Sequence, residues 1–349
     1  MNRRFISLCT IVASLLGSCI PVIEIEDCFD HFDNDGNGLA DCNDEECTDT
    51  PWCQAIEGFR YISQEPYFMG SPEDEEGRAL DEVHHQVTLS SNWWMQGSEV
   101  NQELFFAVTG WNPSANIDCM ICPVDSISWF DATAFANLYS STMGLAPAYQ
   151  ISGIECASGA LAASDPAFCW NDTDGGIAFA QVMVADPYDG SGYRLPTEAQ
   201  WEWSARARSV DAFGAGEGLL ASSGDDCSGA LPLTNDAMLD DMAWYCGNSI
   251  NRTHASGNKD ANGFGLVDIR GNVREWVWDW YEPFVTDAVV DPVGPVSGTH
   301  RVVRGGAFDS TPAALRNAAR ASARPEVHYG QIGMRLMLNE ASSQSLPSR

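Results

Sequence analysis

Lysine is nearly absent from this chain: Lys259 stands alone among 349 residues. Lysine and arginine together number 18 against 49 aspartates and glutamates, a formal net charge of -31. Such a surface repels phosphate backbones and anionic headgroups, which argues against nucleic acid as a partner and suits divalent cations or plain solubility. Long helical patterns are few, and a fixed-period repeat is missing. So are an HExxH pair, a GxSxG nucleophile elbow and a phosphate-cradling glycine loop, which removes the usual signatures of zinc proteases, α/β-hydrolases and nucleotide enzymes. The six histidines are His31, His84, His85, His254, His300 and His328, and none has a metal-ligand spacing. His84 and His85 adjoin Asp81 and Glu82, but adjacent side chains point apart and read as a solvated strand start. No cysteine follows Cys246.

Apolar material is plentiful: 44% of residues are hydrophobic, with 12 Trp, 15 Phe and 9 Tyr, enough for a large core and against disorder for most of the chain. The first residues read as a targeting segment. Arg3 and Arg4 precede an apolar run from Phe5 to Leu16, too short to span a membrane comfortably, which ends in Leu16-Gly17-Ser18-Cys19. That ending resembles a bacterial lipobox, which implies cleavage after residue 18 and acylation of Cys19. The expected location is therefore the cell envelope, lipid-anchored, with the outer membrane or cell surface as candidate sites. Ten of the 12 cysteines then remain: Cys28, Cys42, Cys47, Cys53, Cys119, Cys122, Cys156, Cys169, Cys227 and Cys246. An even number in an oxidising compartment reads as structural disulfides, with connectivity left open. Cys119 and Cys122 form a CxxC, which in a cytosolic protein could be redox-active or bind zinc; no second CxxC accompanies it and the expected compartment is oxidising, so a structural disulfide is the expectation.

Residues 19–56 form an acidic, cysteine-rich segment. Within it, Asp33, Asp35, Asn37, Leu39, Asp41 and Asp44 follow the spacing of a calcium loop, with oxygen ligands at alternate positions, Gly38 at the sharp turn and a backbone carbonyl at Leu39. No helix pattern flanks the loop, so an EF-hand is not expected. The alternative is a solvated acidic linker, and either would space the anchor from the domain.

From residue 57 to 340 the texture is uniform, with short apolar runs and many glycines; residues 341–349 read as a flexible tail. Val87–Leu89 and Trp93–Met95 read as strands, and Gln102–Thr109 and Asp131–Thr142 as helices. Thr197-Glu198-Ala199-Gln200 is a capping box that predicts a short helix carrying Trp201 and Trp203. Ser152–Gly190 is polar and glycine-rich and reads as a long surface insertion. The expected class is α+β with much irregular structure, held by aromatics and disulfides.

One stretch, Gly265–Tyr281 (GLVDIRGNVREWVWDWY), puts three tryptophans around a Gly-Asn turn. Trp276, Trp278 and Trp280 alternate and read as core packing rather than a ligand box. Together with YFMGSPEDE (Tyr67–Glu75), CPVDSISWFDATAFANLYS (Cys122–Ser140), GYRLPTEAQWEWSARA (Gly192–Ala207), RVVRGGAF (Arg301–Phe308) and IGMRLM (Ile332–Met337), it resembles the formylglycine-generating enzyme, or sulfatase-modifying factor, family. The resemblance covers nearly all of residues 60–338. It implies a C-type-lectin-like fold and a structural calcium in the Gly-Asn-Val loop. Carried over, the ligands would be Asp268, the carbonyls of Gly271 and Val273, and Glu275, a donor set suited to calcium.

The family's enzymes oxidise a sulfatase cysteine with copper held by two thiolates downstream of Arg-Gly-Gly. Here that window, Arg304–Arg320, has no cysteine: Ser310 and Pro312 stand where the thiolates would be, so copper is not expected. Arg274 also replaces a tryptophan that faces the substrate groove in the enzymes. Groove candidates are Arg274, Asp309, Ser310, Arg316 and Arg320, with salt bridging to the many acids as the alternative role for Arg316 and Arg320. Iron chemistry, known in some relatives, would require folding to gather His254 and His328 with carboxylates. Two readings follow. One is a non-catalytic, calcium-stabilised module that binds an extracytoplasmic protein, peptide or glycan or serves as an envelope scaffold. The other is an oxidoreductase of the family using another metal.

Overall fold

The computed structural model describes residue 56 and residues 58–343, with breaks at 163–164, 173–174, 185 and 214–236. The signal segment, Cys19 and the candidate calcium loop from Asp33 to Asp44 lie outside the described residues.

Four short strands come first: β1 (Phe59–Ile62), β2 (Tyr67–Met69), β3 (His85–Thr88) and β4 (Trp93–Gln96). Helices α1 (Gln102–Thr109) and α2 (Trp129–Thr142) precede a hairpin of β5 (Tyr149–Cys156) and β6 (Ile177–Val184), which encloses the short helix α3 (Pro166–Trp170). Helices α4 (Glu198–Arg206) and α5 (Ala237–Met242) lead to β7 (Arg274–Trp280). The rest is β8 (Val289–Val290), β9 (Arg301–Arg304), a 3₁₀ turn at Pro312–Leu315, β10 (Arg320–Ala323), β11 (Ile332–Met334), β12 (Met337–Asn339) and α6 (Glu340–Ser343). The last of these carries regular structure three residues past the expected domain end at 340.

The helix starts follow local chemistry. Asn101 caps α1 by accepting from Leu104 N–H, and Gly110 closes it in the left-handed region. Helix α2 begins at Trp129, two residues before the sequence reading, because Ser128 and Asp131 form a reciprocal capping box. The Thr197–Gln200 box stands as read and starts α4. Strand β3 falls at His85–Thr88, up to two residues before its expected position.

Four small sheets result: β1-β4-β12, β10-β9-β7-β11, β2-β3-β8 and the β5-β6 hairpin. The first closes the described chain on itself, since β12 pairs antiparallel with β4 through Met337↔Met95. In the second, β9 lies antiparallel to β7 with Glu275 opposite Arg304, and β11 runs parallel to β7. Trp93, Trp129, Trp201 and Trp276 are fully buried around these sheets, each worth about 2–3 kcal/mol by apolar area.

The tryptophans of β7 do pack, but not as one face in a dry core. Trp276 is wholly buried, whereas Trp278 and Trp280 are half-buried. The Arg301 guanidinium lies 3.6 Å from the Trp280 ring centre and 3.7 Å from that of Trp129.

The segment read as a surface insertion is different in kind. The β5-β6 hairpin starts at Tyr149, Cys156 and Cys169 are bonded, and Ile154, Trp170, Ile177 and Ala180 are buried. Asp131 of α2 anchors it: its carboxylate accepts from Trp170 Nε1 at 2.7 Å, Ile177 N–H at 2.9 Å and His328 Nε2 at 2.9 Å. In β5 the exposed Gln150, Ser152 and Glu155 break up the buried Tyr149, Ile154 and Cys156, while β6 exposes apolar Phe179 and Met183, so neither strand shows a clean apolar-in, polar-out alternation.

Candidate functional site

Strand β9 ends at Arg304, and Gly305 and Gly306 both take positive φ to turn the chain. A tight turn follows. Ser310 N–H donates to Ala307 O at 2.9 Å, and Ala307 N–H donates to Ser310 Oγ at 2.9 Å. From β7, Arg274 Nη2 reaches the same Oγ at 3.0 Å, while its Nη1 lies 3.7 Å from Asp309 Oδ1. Three of the five groove candidates, Arg274, Asp309 and Ser310, are thus brought together, with the Arg274 and Asp309 side chains 26% and 32% exposed and Ser310 buried beneath them. Two N–H donors converge on the Ser310 hydroxyl, which holds it as an acceptor rather than activating it as a nucleophile.

The floor of this site is the Gly271–Asn272 turn. Gly271 has φ +79, and a Cβ there would sit 2.0 Å from Trp244 O, so only glycine fits. Asn272 is fully buried; its Oδ1 accepts from His254 N–H at 3.0 Å, its Nδ2 donates to His254 O at 3.1 Å, and its carbonyl accepts from Phe308 N–H at 2.9 Å. The His254 ring stacks on Trp244 at 3.8 Å, and Lys259, the chain's lone lysine, places its ammonium 3.9 Å from the same ring centre. Asn272 and Trp244 were not singled out from sequence; the Gly-Asn turn was the available signal.

Arg316 and Arg320 are elsewhere. Arg316 bonds Glu82 through Nη1 at 2.8 Å and Nη2 at 2.6 Å, and Glu75 and Gly77 O at 2.6 Å each. Burial alone would lower the Arg316 pKa, but Glu82 and Glu75 more than offset it and raise it. Arg320 forms a bidentate pair with Glu198 at 2.6 and 2.8 Å and stacks on Phe284 at 3.7 Å. Both arginines are salt-bridged into the frame, away from the Arg274–Asp309–Ser310 cluster. His254 and His328 are not gathered either: among the described residues no group of three or more His, Cys, Asp or Glu could hold a metal.

The fit of the residues to calcium is partial. Asp268 Oδ2 accepts from Gly257 N–H at 2.6 Å, while its buried Oδ1 has no hydrogen-bond partner. Glu275 is already engaged, accepting from Trp201 Nε1 at 2.7 Å and Arg335 Nε at 2.9 Å. A residue missed from sequence interacts electrostatically with Asp268 and Glu275: Glu99 is 1% exposed and also leaves one carboxylate oxygen, Oε1, without a partner. Burial first, then the Asp268 charge, pushes the Glu99 carboxyl well above the ordinary range. The residues at the copper position do not fit that metal, since Ser310 and the buried Pro312 offer no thiolate to a soft ion.

A cavity of about 340 Å³ lies beside the start of α4, lined by Met69, His85, Glu198, Asp279, Phe284 and Arg320 among others. Asp279 Oδ2 accepts from Glu198 N–H at 2.8 Å, so an acid caps the positive end of the helix. Burial, with the Glu198 charge adding to it, still lifts the Asp279 pKa to about 7. Asp279 was hidden in the sequence between tryptophans, and Glu198 inside the capping box.

The architecture and the Arg-Gly-Gly corner define a class, and the comparisons with known proteins give it a family. The sulfatase-modifying factor enzyme 1-like domain matches residues 61–340, and the chain belongs to that family. It is 29% identical over 242 residues to the chaperone protein LppX of Paenibacillus barcinonensis, covering 64% of this chain and 72% of that one. It is 34% identical over 154 residues to the formylglycine-generating enzyme of Streptomyces coelicolor, which spans 42% of this chain and only 46% of the enzyme. Among solved structures it is similar to Treponema denticola variable protein 1, with a TM-score of 0.62 and 30% identity, covering 80% of this chain and 94% of that chain. The α+β, C-type-lectin-like fold expected from the sequence is the fold of this chain.

Proposed function

We propose that this chain is a non-catalytic binding or scaffold module of its family, exported and lipid-anchored through Cys19. The observation that carries the reading is the Arg274–Asp309–Ser310 cluster at the corner where the family's copper enzymes place thiolates. A partly exposed guanidinium with a carboxylate beside it, the guanidinium steadied by the buried Ser310 hydroxyl, recognises polar groups: backbone amides, carboxylates or sugar hydroxyls. A protein, peptide or glycan outside the cytoplasm is the partner class. The chaperone name of the LppX relative supports the handling of protein chains. In this reading the lipid at Cys19 attaches the chain to the membrane; no helix among the described residues is long and apolar enough to cross one.

Calcium belongs to the same proposal. Asp268, with the Gly271 and Val273 carbonyls, would hold an ion at the Gly-Asn-Val loop, and the unpartnered Asp268 and Glu99 oxygens support a cation there. Glu275 would contribute less than the resemblance implies, because Arg335 already neutralises it. The Asp33–Asp44 loop is a second candidate.

The alternative is an oxidoreductase of the formylglycine-generating type, favoured by the similarity to the Streptomyces coelicolor enzyme. Metal content of the mature chain, combined with mass analysis of a CxPxR peptide, separates the two. Calcium with an unchanged peptide supports the binding module. Stoichiometric copper or iron, or a converted cysteine, supports the oxidoreductase.

A further inference from the structure

The loop between α1 and α2 carries chemistry that the Arg274 corner does not use. Cys119 and Cys122 are bonded across a separation of 3 residues. Their surroundings differ: Cys122 is 1% exposed, whereas Cys119 is half-exposed. The Cys156–Cys169 disulfide provides the contrast, since both its cysteines are buried, at 2% and 0%. Thiol–disulfide exchange needs a thiolate to reach one sulfur while the other leaves. At Cys119–Cys122 one cysteine is partly exposed and the other is buried, which favours attack at Cys119.

The leaving sulfur is placed to hold negative charge. Asn116 Nδ2 lies 3.9 Å from Cys122 Sγ as a donor. The CxxC turn also sits against the N-terminal turn of α1. Gln102 N–H donates to Cys122 O at 3.0 Å, and Glu103 N–H donates to Met120 O at 2.9 Å. Those helix N–H groups are spent on carbonyl oxygens, so it is the Asn116 amide, which also donates to Thr253 O at 3.3 Å, that favours a thiolate at Cys122 and makes it the better leaving group. Around Cys119 lie Ile117, Met120 and Ile121, exposed by 62%, 38% and 57%. An apolar rim of this kind suits an extended polypeptide segment rather than a small hydrophilic thiol.

We propose that, separately from the Arg274 corner, to which the non-catalytic reading applies, Cys119–Cys122 is a redox-active disulfide whose substrates are protein dithiols. A substrate thiolate attacks Cys119 Sγ, the Cys119–Cys122 bond breaks, and Cys122 leaves as a thiolate. The second substrate thiolate then attacks the substrate sulfur of the mixed disulfide and releases Cys119. The substrate gains a disulfide and loses two electrons; the Cys119–Cys122 pair takes those electrons and two protons. A low-molecular-weight disulfide restores the pair by the reverse exchange.

The test uses the full chain and an equimolar, reduced two-cysteine peptide with apolar flanks, followed by alkylation and peptide mapping that reads each cysteine separately. The expected result is one oxidised peptide per chain, with Cys119 and Cys122 alkylated and Cys156–Cys169 intact. In Cys122→Ser, incubation with the oxidised peptide should trap it on Cys119. In Cys119→Ser, the ultraviolet titration of Cys122 should show a pKa below that of an ordinary thiol. Asn116→Asp, which replaces the donor by an acceptor of the same size, should raise that pKa and slow peptide oxidation severalfold. An unoxidised peptide, parallel reduction of both disulfides, or an ordinary Cys122 pKa unmoved by Asn116→Asp would each overturn the proposal and leave Cys119–Cys122 a structural bridge.

Discussion

Replacing Asp279 with asparagine should make the protein more stable, and only above acidic pH. The side chain is 4% exposed and its carboxyl is lifted from 3.8 to about 7, mainly by burial and next by Glu198. The folded state therefore holds a proton that the unfolded chain releases between about pH 4 and 7. In that window the unfolded state binds fewer protons, so stability falls as pH rises, and the full cost is present above pH 7. A rise of that size corresponds to about 4 kcal/mol as an upper limit. Asparagine keeps an oxygen to accept the Glu198 N–H, which Asp279 Oδ2 accepts at 2.8 Å, and has no charge to bury. The assay is denaturant unfolding of both chains at pH 4, 6 and 8. The two should be close to equal at pH 4, where the aspartate is protonated, and diverge in favour of Asp279→Asn by about 2–4 kcal/mol at pH 8. A variant equally destabilised at every pH would refute the reasoning and show that Arg301 and Arg320 need the ionised carboxylate.

Other consequences follow from the same geometry. Arg316→Ala leaves Glu82 and Glu75 buried without their partner and should cost about 3–5 kcal/mol in chemical denaturation. Gly271→Ala drives a Cβ to 2.0 Å from Trp244 O at φ +79, and should lose at least about 3 kcal/mol or fail to accumulate as folded protein. Arg274→Ala removes a half-exposed pair with Asp309, so the melting temperature should shift by no more than about 1 kcal/mol equivalent while binding of any polar partner falls. If calcium occupies the Asp268 loop, chelation should lower the melting temperature of the wild type and leave Asp268→Asn much less affected, read by differential scanning calorimetry.

What could be read in advance was local. Helix α1 was legible over Gln102–Thr109 because its cap and its glycine stop lie within ten residues of one another. The Thr197–Gln200 box was legible for the same reason. The family blocks carried the fold and the Gly-Asn turn. Arg316 and Arg320 were ambiguous because their partners, Glu75, Glu82, Asp81 and Glu198, come from segments more than a hundred residues away. The same is true of Glu99, which meets Asp268 only through the fold. Asp131 was read only as a helix residue, and its role as the anchor of the β5-β6 hairpin depends on Trp170, Ile177 and His328 arriving from three later segments. Long-range carboxylate–arginine pairing leaves no periodic mark in a chain with 49 acids.

In the proposed function, Arg274, Asp309 and Ser310 form a recognition surface where the family's copper enzymes place thiolates. Its most direct test is the mass of a CxPxR peptide after incubation of the purified chain with copper and oxygen supplied. The account predicts an unmodified cysteine and no stoichiometric copper retained after dialysis. Conversion of the cysteine to formylglycine would contradict it, and would require a metal site built from residues other than Ser310 and Pro312.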